Sequence, residues 1–269
     1  MRADWRAWAA LVALSVTACA GDTGENKPAT QAKAAASTPA GGAADAPPTN
    51  GRGAPDSTVS GERPVILFLG TSLTAGLGLD PDSAYPARIQ RKADSAGVHF
   101  EVVNAGVSGE TSAGLLRRLD WVLRRPASVI VVETGANDGL RGQPVSSTQA
   151  TIGKILDRIA AEQPTAKVLL VQMEAPTNLG ARYTRAFHDM YPALAREHGV
   201  TLLPFLLDSV AGIPSLNQAD GIHPNDKGEA IVAENVWRGM ERELKAGSSK
   251  LKAGSSKLKA GGSKLKAGG

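Results

Sequence analysis

The run Val65-Ile66-Leu67-Phe68-Leu69-Gly70 narrows what this chain can fold into more than any other stretch. Apolar residues in unbroken succession, β-branched at the start and closed by glycine, predict a strand buried on both faces, as in a parallel sheet covered by helices. Ser128 to Glu133 has the same character, and His99 to Asn104, Lys167 to Met173 and Val200 to Leu203 predict further strands. Between the strands the spacing becomes helical. Asp82 is placed to cap a helix that runs to about Ser95, with Pro86 in its first turn and Gly97 as its stop. Leu115, Leu116, Leu119, Val122 and Leu123 share one face of a helix that follows Gly109 and ends at Arg125, ahead of Pro126. Ser146 with Gln149 has the form of a capping box before Ile152, Ile155, Leu156 and Ile159. Arg182 to His198 continues the series, and Asp226 with Glu229 opens a last helix bearing Ile231, Val232, Val236 and Met240. Strands alternating with helices in this way predict an α/β fold, a three-layer α/β/α sandwich over a parallel sheet.

Only Arg63 to Lys245 reads as globular, and that length suffices for one domain with its own core. Residues 1–19 resemble an export signal: Met1-Arg2-Ala3-Asp4-Trp5-Arg6 precedes an apolar run from Trp8 to Ala18 that is too short to span a bilayer. Val16-Thr17-Ala18-Cys19-Ala20 is similar to a bacterial lipobox, which makes Cys19 the candidate lipidated residue and implies a membrane anchor facing the periplasm. Ala18-Cys19-Ala20 equally satisfies the small-residue rule for ordinary cleavage, which would yield a soluble exported protein. Cys19 is the sole cysteine, so neither a disulfide framework nor a cysteine metal site is available. Residues 20–62 are rich in Ala, Gly, Pro, Ser and Thr and read as a disordered tether, which at some 40 residues would reach roughly 35 Å.

The formal net charge of +4 is concentrated at the other end. Residues 245–269 repeat a Lys-Ala-Gly-Ser-Ser-Lys-Leu unit and hold seven of the 30 Lys and Arg, leaving 23 basic against 26 acidic groups elsewhere, a balance of −3. The domain therefore offers no electrostatic case for nucleic acid binding. Residues 246–269 form a basic low-complexity tail, each unit too poor in apolar residues for a coiled-coil seam, and an anionic surface is its natural ligand if it has one. Nothing in the pattern calls for more than a monomer.

Polar residues follow three of the strands: Ser72 the first, Asn137 the third, Asp220 and His223 the fifth. In a parallel sheet these ends share one edge, and a flavodoxin-like strand order brings the first and third together at the crevice where ligands bind. Serine is a weak nucleophile without a base, and an imidazole can serve as that base at neutral pH. His223 fits the role, with Asp220 three residues earlier able to hold its Nδ1. His99, His188 and His198 are weaker candidates, the last two read as exposed on a helix. Backbone N–H groups of Ser72 and Gly109 and the Asn137 amide could stabilise an oxyanion. Gly106 competes with Gly109, and only the position of Gly109 at a helix start separates them.

Gly70-Thr71-Ser72-Leu73-Thr74-Ala75-Gly76, Asn104 to Thr111, Gly135-Ala136-Asn137-Asp138 and Asp220-Gly221-Ile222-His223-Pro224 resemble the four motif blocks of the SGNH (GDSL) hydrolases. Glu133 to Gly142 and Ala181 to Phe187 are most similar to the branch of bacterial esterases, thioesterases and lysophospholipases I, also known as arylesterases. The resemblance runs from Val65 to about Leu244. It implies a five-stranded flavodoxin-like sheet, a Ser72, His223, Asp220 triad, an oxyanion hole of Ser72, Gly109 and Asn137, and neither metal nor other cofactor. Thr71 departs from the family pattern, which has Asp there, so the turn around Ser72 is expected to be held differently.

These readings converge on an exported serine esterase acting on small acyl esters, with thioesters or lysophospholipids as further substrates. An O-acetyl esterase of carbohydrate or cell wall is the rival within the fold, and a non-catalytic flavin or phosphate binder is the rival outside it. The acyl groove is expected at the loops carrying Leu179, Ile213 and Leu216.

Overall fold

A computed structural model describes residues 63–241. The export signal, Cys19, the tether and the basic tail lie outside the described residues. Five strands form a single parallel sheet: β1 (Val65–Gly70), β2 (Glu101–Gly106), β3 (Val129–Val132), β4 (Lys167–Gln172) and β5 (Thr201–Phe205), in the spatial order β2-β1-β3-β4-β5. This is the flavodoxin-like order, and the chain reverses direction across the sheet between β1 and β3. Every residue of β1 and β3 is buried, as their unbroken apolar runs require of central strands.

Helices cover both faces. Helix α1 (Ser72–Ala75) is one turn directly after β1, and α2 (Tyr85–Ser95) leads to β2. Then come α3 (Ser112–Val122), the short α4 (Ala136–Leu140), α5 (Val145–Glu162), α6 (Ala181–Glu197) and α7, residues 226–241. Helix α3 packs on α5 and α5 on α6. On the other face α2 meets α7, where Lys92 pairs with Glu234 at 2.7 Å. Right-handed crossovers explain the split, because connections running in opposite directions from the reversal place their helices on opposite faces. The core between the layers contains Phe68, Tyr85, Ile130, Ile152, Phe187 and Tyr191, each essentially without exposure.

Several helix starts differ from expectation. Asp80, not Asp82, makes the cap, and it caps a 3₁₀ turn at Pro81–Ser83, so α2 begins only at Tyr85. Ser146 and Gln149 form no capping box: α5 starts at Val145 after Pro144, whose preset φ enters a helix without a side-chain cap. Helix α7 does open at Asp226 as expected, and its cap is Asn225, whose Oδ1 accepts from the N–H groups of Lys227 and Gly228 at 3.0 and 3.2 Å. Gly109 is not at a helix start either. Thr111 caps α3, and Gly109 sits in the preceding turn at φ 75°. His198 is also more enclosed than a surface helix position, its side chain 13% exposed and its Nδ1 3.1 Å from Asp157.

Candidate active site

Ser72 opens α1 at the carboxyl end of β1. Thr71 caps that turn, its Oγ1 accepting from the Leu73 N–H at 3.4 Å. Beneath it lies Glu133, fully buried at the end of β3. The Thr71 N–H and hydroxyl donate to Glu133 Oε2 at 2.7 and 3.0 Å, and the Thr74 hydroxyl donates to the same oxygen at 2.9 Å. The Tyr85 hydroxyl completes the chain 2.8 Å from Thr74 Oγ1. Burial pushes the Glu133 carboxyl up from its ordinary pKa, and the donated hydrogen bonds oppose that shift. Thr71 thus holds the turn by donating a hydrogen bond to the Glu133 carboxyl, which an ionised aspartate could not do. In the sequence Glu133 ends a strand and opens the stretch Glu133 to Gly142, and neither place shows its partners, which are reached only in three dimensions.

The second half of the site is a hairpin after β5. Asn217 bridges Pro224, the Gln218 N–H donates to the His223 carbonyl at 2.7 Å, and Gly221 turns the loop at φ 70°. Within it, Asp220 Oδ1 accepts from the N–H groups of Ile222 and His223 at 2.9 and 3.0 Å, a local Asx turn. That leaves Oδ2 facing His223 Nδ1 at 2.6 Å. Burial alone would raise the Asp220 pKa, but the hydrogen bonds from the His223 ring and the two backbone N–H groups outweigh it and hold the carboxyl below its ordinary value. With Nδ1–H donating to Asp220, Nε2 is an acceptor, and it lies 2.8 Å from Ser72 Oγ. Residues 151 positions apart in sequence therefore meet at hydrogen-bond distance.

Gln218 ties the two halves together. Its Nε2 donates to the carbonyls of Leu77, in the loop after α1, and Pro224 at 2.7 and 3.0 Å. No motif marks this residue in the sequence, since a lone glutamine in a loop carries no periodicity or spacing signal.

Gly109 and Asn137 border the same cavity as Ser72 and His223. Among the described residues no hydrogen bond engages the backbone N–H of Ser72 or Gly109. Asn137 donates one amide hydrogen to the Glu110 carbonyl at 3.0 Å, which leaves its second available. Arg141 donates to the Gly109 carbonyl at 3.0 Å, and Asp138 accepts from the Ser112 N–H and hydroxyl at 2.8 and 2.6 Å. The loop before α3 is thereby braced against α4. Gly106 plays a different part. A Cβ there would lie 2.4 Å from the Ala75 nitrogen, so its lack of a side chain lets the α1 turn pack on β2. The structure thus separates the two glycines that the sequence left in competition.

A cavity of about 230 Å³ opens beside Ser72. Its apolar wall comes from Leu73, Leu77, Leu140, Met173, Phe205 and Leu207, with Glu174 and Ile222 completing it. Leu179, Ile213 and Leu216 do not line it. Leu216 packs on the core instead, and the Ile213 carbonyl accepts from Asn217 at 2.9 Å. The segments after β4 and β5 do supply part of the wall, through Met173 and Glu174 after β4 and Leu207, Ile222 and His223 after β5. Among the described residues no group of three or more His, Cys, Asp or Glu is placed to hold a metal ion, and no helix is long and apolar enough to cross a membrane.

Comparison with known proteins agrees with this geometry. Residues 68–231 match the model of the GDSL-like lipase/acylhydrolase family. The chain is 41% identical over 174 residues to esterase TesA of Pseudomonas aeruginosa, covering 64% of this chain and 85% of that protein. It is 41% identical over 170 residues to the Escherichia coli thioesterase 1/protease 1/lysophospholipase L1, covering 63% of this chain and 79% of that protein. The crystal structure of the psychrotrophic esterase EstA from a Pseudoalteromonas species, inhibited by monoethylphosphonate, superposes with a TM-score of 0.64 at 32% identity, covering 67% of this chain and 98% of that one. With its parallel sheet, its Ser72–His223–Asp220 array and relatives named as esterases, the chain belongs to the GDSL-like lipase/acylhydrolase family, the SGNH hydrolases, and is a carboxylic ester hydrolase.

Proposed function

We propose that this protein is an exported serine esterase that cleaves acyl esters through a covalent acyl-enzyme on Ser72. The observation that carries the reading is the continuous array Asp220–His223–Ser72, at 2.6 and 2.8 Å. Nε2 of His223 takes the hydroxyl proton as Ser72 Oγ attacks the acyl carbon, and Asp220 stabilises the imidazolium that forms. The oxyanion is met by the N–H groups of Ser72 and Gly109 and the free amide hydrogen of Asn137, donors of a kind worth roughly 10² to 10³ each in rate. Collapse breaks the ester C–O bond, and His223 returns the proton to the leaving alcohol. Water then repeats the sequence to release the acid.

Relatives named as esterase, thioesterase and lysophospholipase support acyl esters, thioesters and lysophospholipids as substrates. The test is Ser72→Ala, for which we expect p-nitrophenyl ester turnover to fall by about 10⁴-fold or more with the fold intact, and labelling by a fluorophosphonate probe to disappear. Retained turnover in the purified variant refutes Ser72 as nucleophile. The rival O-acetyl esterase is distinguished by acyl length, since its activity should collapse beyond acetyl. The apolar cavity wall favours the longer acyl group.

Export rests on residues 1–19, and anchoring on Cys19 within a lipobox-like sequence. Mass spectrometry of the mature amino terminus tests both: a diacylglyceryl cysteine supports the anchored periplasmic lipoprotein, an unmodified cleaved terminus supports soluble export, and an intact Met1 removes the export reading.

A further inference from the structure

Glu174 is the charged residue of the cavity that the hydrolytic chemistry leaves unused. It lies two residues past β4, on the same rim as Ser72, and lines the cavity together with Ser72, Asn137 and His223. Apart from the catalytic and oxyanion-hole groups and Thr71, whose hydroxyl is committed to Glu133, the rest of the lining is apolar. The Glu174 side chain is 30% exposed. One oxygen, Oε1, faces His188 Nδ1 at 2.6 Å and accepts from Gln172 Nε2 at 3.4 Å. The other, Oε2, has no hydrogen-bond partner among the described residues.

We infer that Glu174 is a specificity-determining residue that selects substrates by charge, admitting neutral and cationic acyl esters and disfavouring those with an anionic group near the scissile bond. The inference rests on the esterase reading above and narrows its substrate class. A carboxylate on an apolar wall acts in a medium less polarisable than water, where like charges a few ångströms apart repel more strongly than at an open surface. A ligand anion entering the cavity also exchanges water for a lining that includes no Lys or Arg to receive it. Burial pushes the Glu174 carboxyl up from its ordinary pKa, against the hydrogen bond and charge of His188, which agrees with a group held partly out of water. His188 is itself 54% exposed and tempers the negative charge without covering Oε2.

The consequence reaches the substrates suggested by the relatives. A lysophospholipid with a net anionic headgroup, or a thioester whose carrier bears phosphates near the thiol, should be cleaved less well than a neutral ester of the same acyl chain.

The test is a selectivity ratio measured at pH 8. The full chain is assayed on p-nitrophenyl hexanoate, on the p-nitrophenyl monoester of adipic acid and on p-nitrophenyl 6-aminohexanoate, so that the acyl terminus is neutral, anionic or cationic. A second pair, butyrylcholine and 3,3-dimethylbutyl butyrate, places the charge on the alcohol instead. In Glu174→Gln the anionic-to-neutral ratio of kcat/KM should rise, or the cationic-to-neutral ratio fall, by about ten-fold on at least one side of the ester. Glu174→Lys should move the same ratio further in the same direction, because the effect follows charge and not shape, and 0.5 M salt should shrink the difference. A general loss of fold or rate cancels in the ratio. Ratios unchanged in both variants on both sides overturn the assignment, while absence of ester turnover in the parent chain overturns this inference and the esterase reading together.

Discussion

Ser72, the proposed nucleophile, and His223, its proposed base, stand on opposite kinds of ground. Ser72 belongs to a turn fastened from below by a carboxyl with no solvent exposure, which three donors from Thr71 and Thr74 converge upon. His223 belongs to a surface hairpin fastened by amides, with Asp220 44% exposed beside it. The first support is continuous with the core: Tyr85 links Thr74 to the buried Glu229 of α7, whose Oε2 accepts from the Tyr85 N–H at 2.8 Å. The second is a peripheral attachment joined to the first through Gln218. Damage beneath Ser72 should therefore cost stability as well as rate, whereas damage to the hairpin should cost rate with little effect on stability.

The largest expected effect lies in the hairpin. Asp220→Asn should lower kcat on the order of 10³ to 10⁴-fold while leaving the melting temperature within a few degrees of the parent. A large loss of thermal stability would break the distinction. Glu133→Ala is the converse case. It strands the Thr71 N–H and two hydroxyls in a buried site and should destabilise the fold by about 3 to 5 kcal/mol, read from urea midpoints, with a fall in kcat. A variant as stable as the parent would show that the turn does not depend on the carboxyl beneath it.

Glu229 sharpens the contrast through pH. Burial pushes its pKa up to about 8, against the Tyr85 N–H and the Arg88 charge, which pull it down. The folded protein thus holds this proton more tightly than the unfolded chain, whose glutamate titrates near ~4.3. The stabilising contribution is complete below that ordinary value and is lost as pH rises to about 8. Glu229→Gln keeps an acceptor for Tyr85 but removes the titration. Its stability relative to the parent should improve between pH 5 and pH 9 by on the order of 2 to 4 kcal/mol, measured by urea unfolding at each pH. A constant difference across that range would remove Glu229 as the cause. The smallest effect is expected at the joint between the two halves. Gln218→Ala should reduce kcat by about ten-fold and stability by about 1 kcal/mol, with KM nearly unchanged, because it loosens the Ser72–His223 alignment without touching the cavity wall. A change confined to KM would place Gln218 in substrate binding instead.

What can be read from the sequence follows the same division. The hairpin's chemistry is legible because Asp220 and His223 lie three residues apart, and Ser72 is legible because an apolar strand ends at a glycine just before it. Helix starts are less so. Asp80, Thr111 and Pro144 make the actual boundaries, and a capping residue is chosen by backbone geometry that neighbouring candidates such as Asp82 and Ser146 do not reveal. The cavity wall does not fall at Leu179, Ile213 and Leu216 as their sequence positions suggest, since apolar residues in loops look alike until the strand ends are set side by side.

By itself the sequence determined the buried strands, the helices between them, and hence a parallel sheet with Ser72, Asn137 and His223 along one edge, because hydrophobic period and turn chemistry act between residues close in the chain. Tertiary structure alone decided which side chains support that edge. Glu133 meets Thr71 across 62 residues, Gln218 meets Leu77 across 141 and Glu229 meets Tyr85 across 144. No local pattern records such pairs: a buried carboxyl becomes tolerable only when donors from distant segments arrive at its oxygens, and that arrival is a property of the packed sheet.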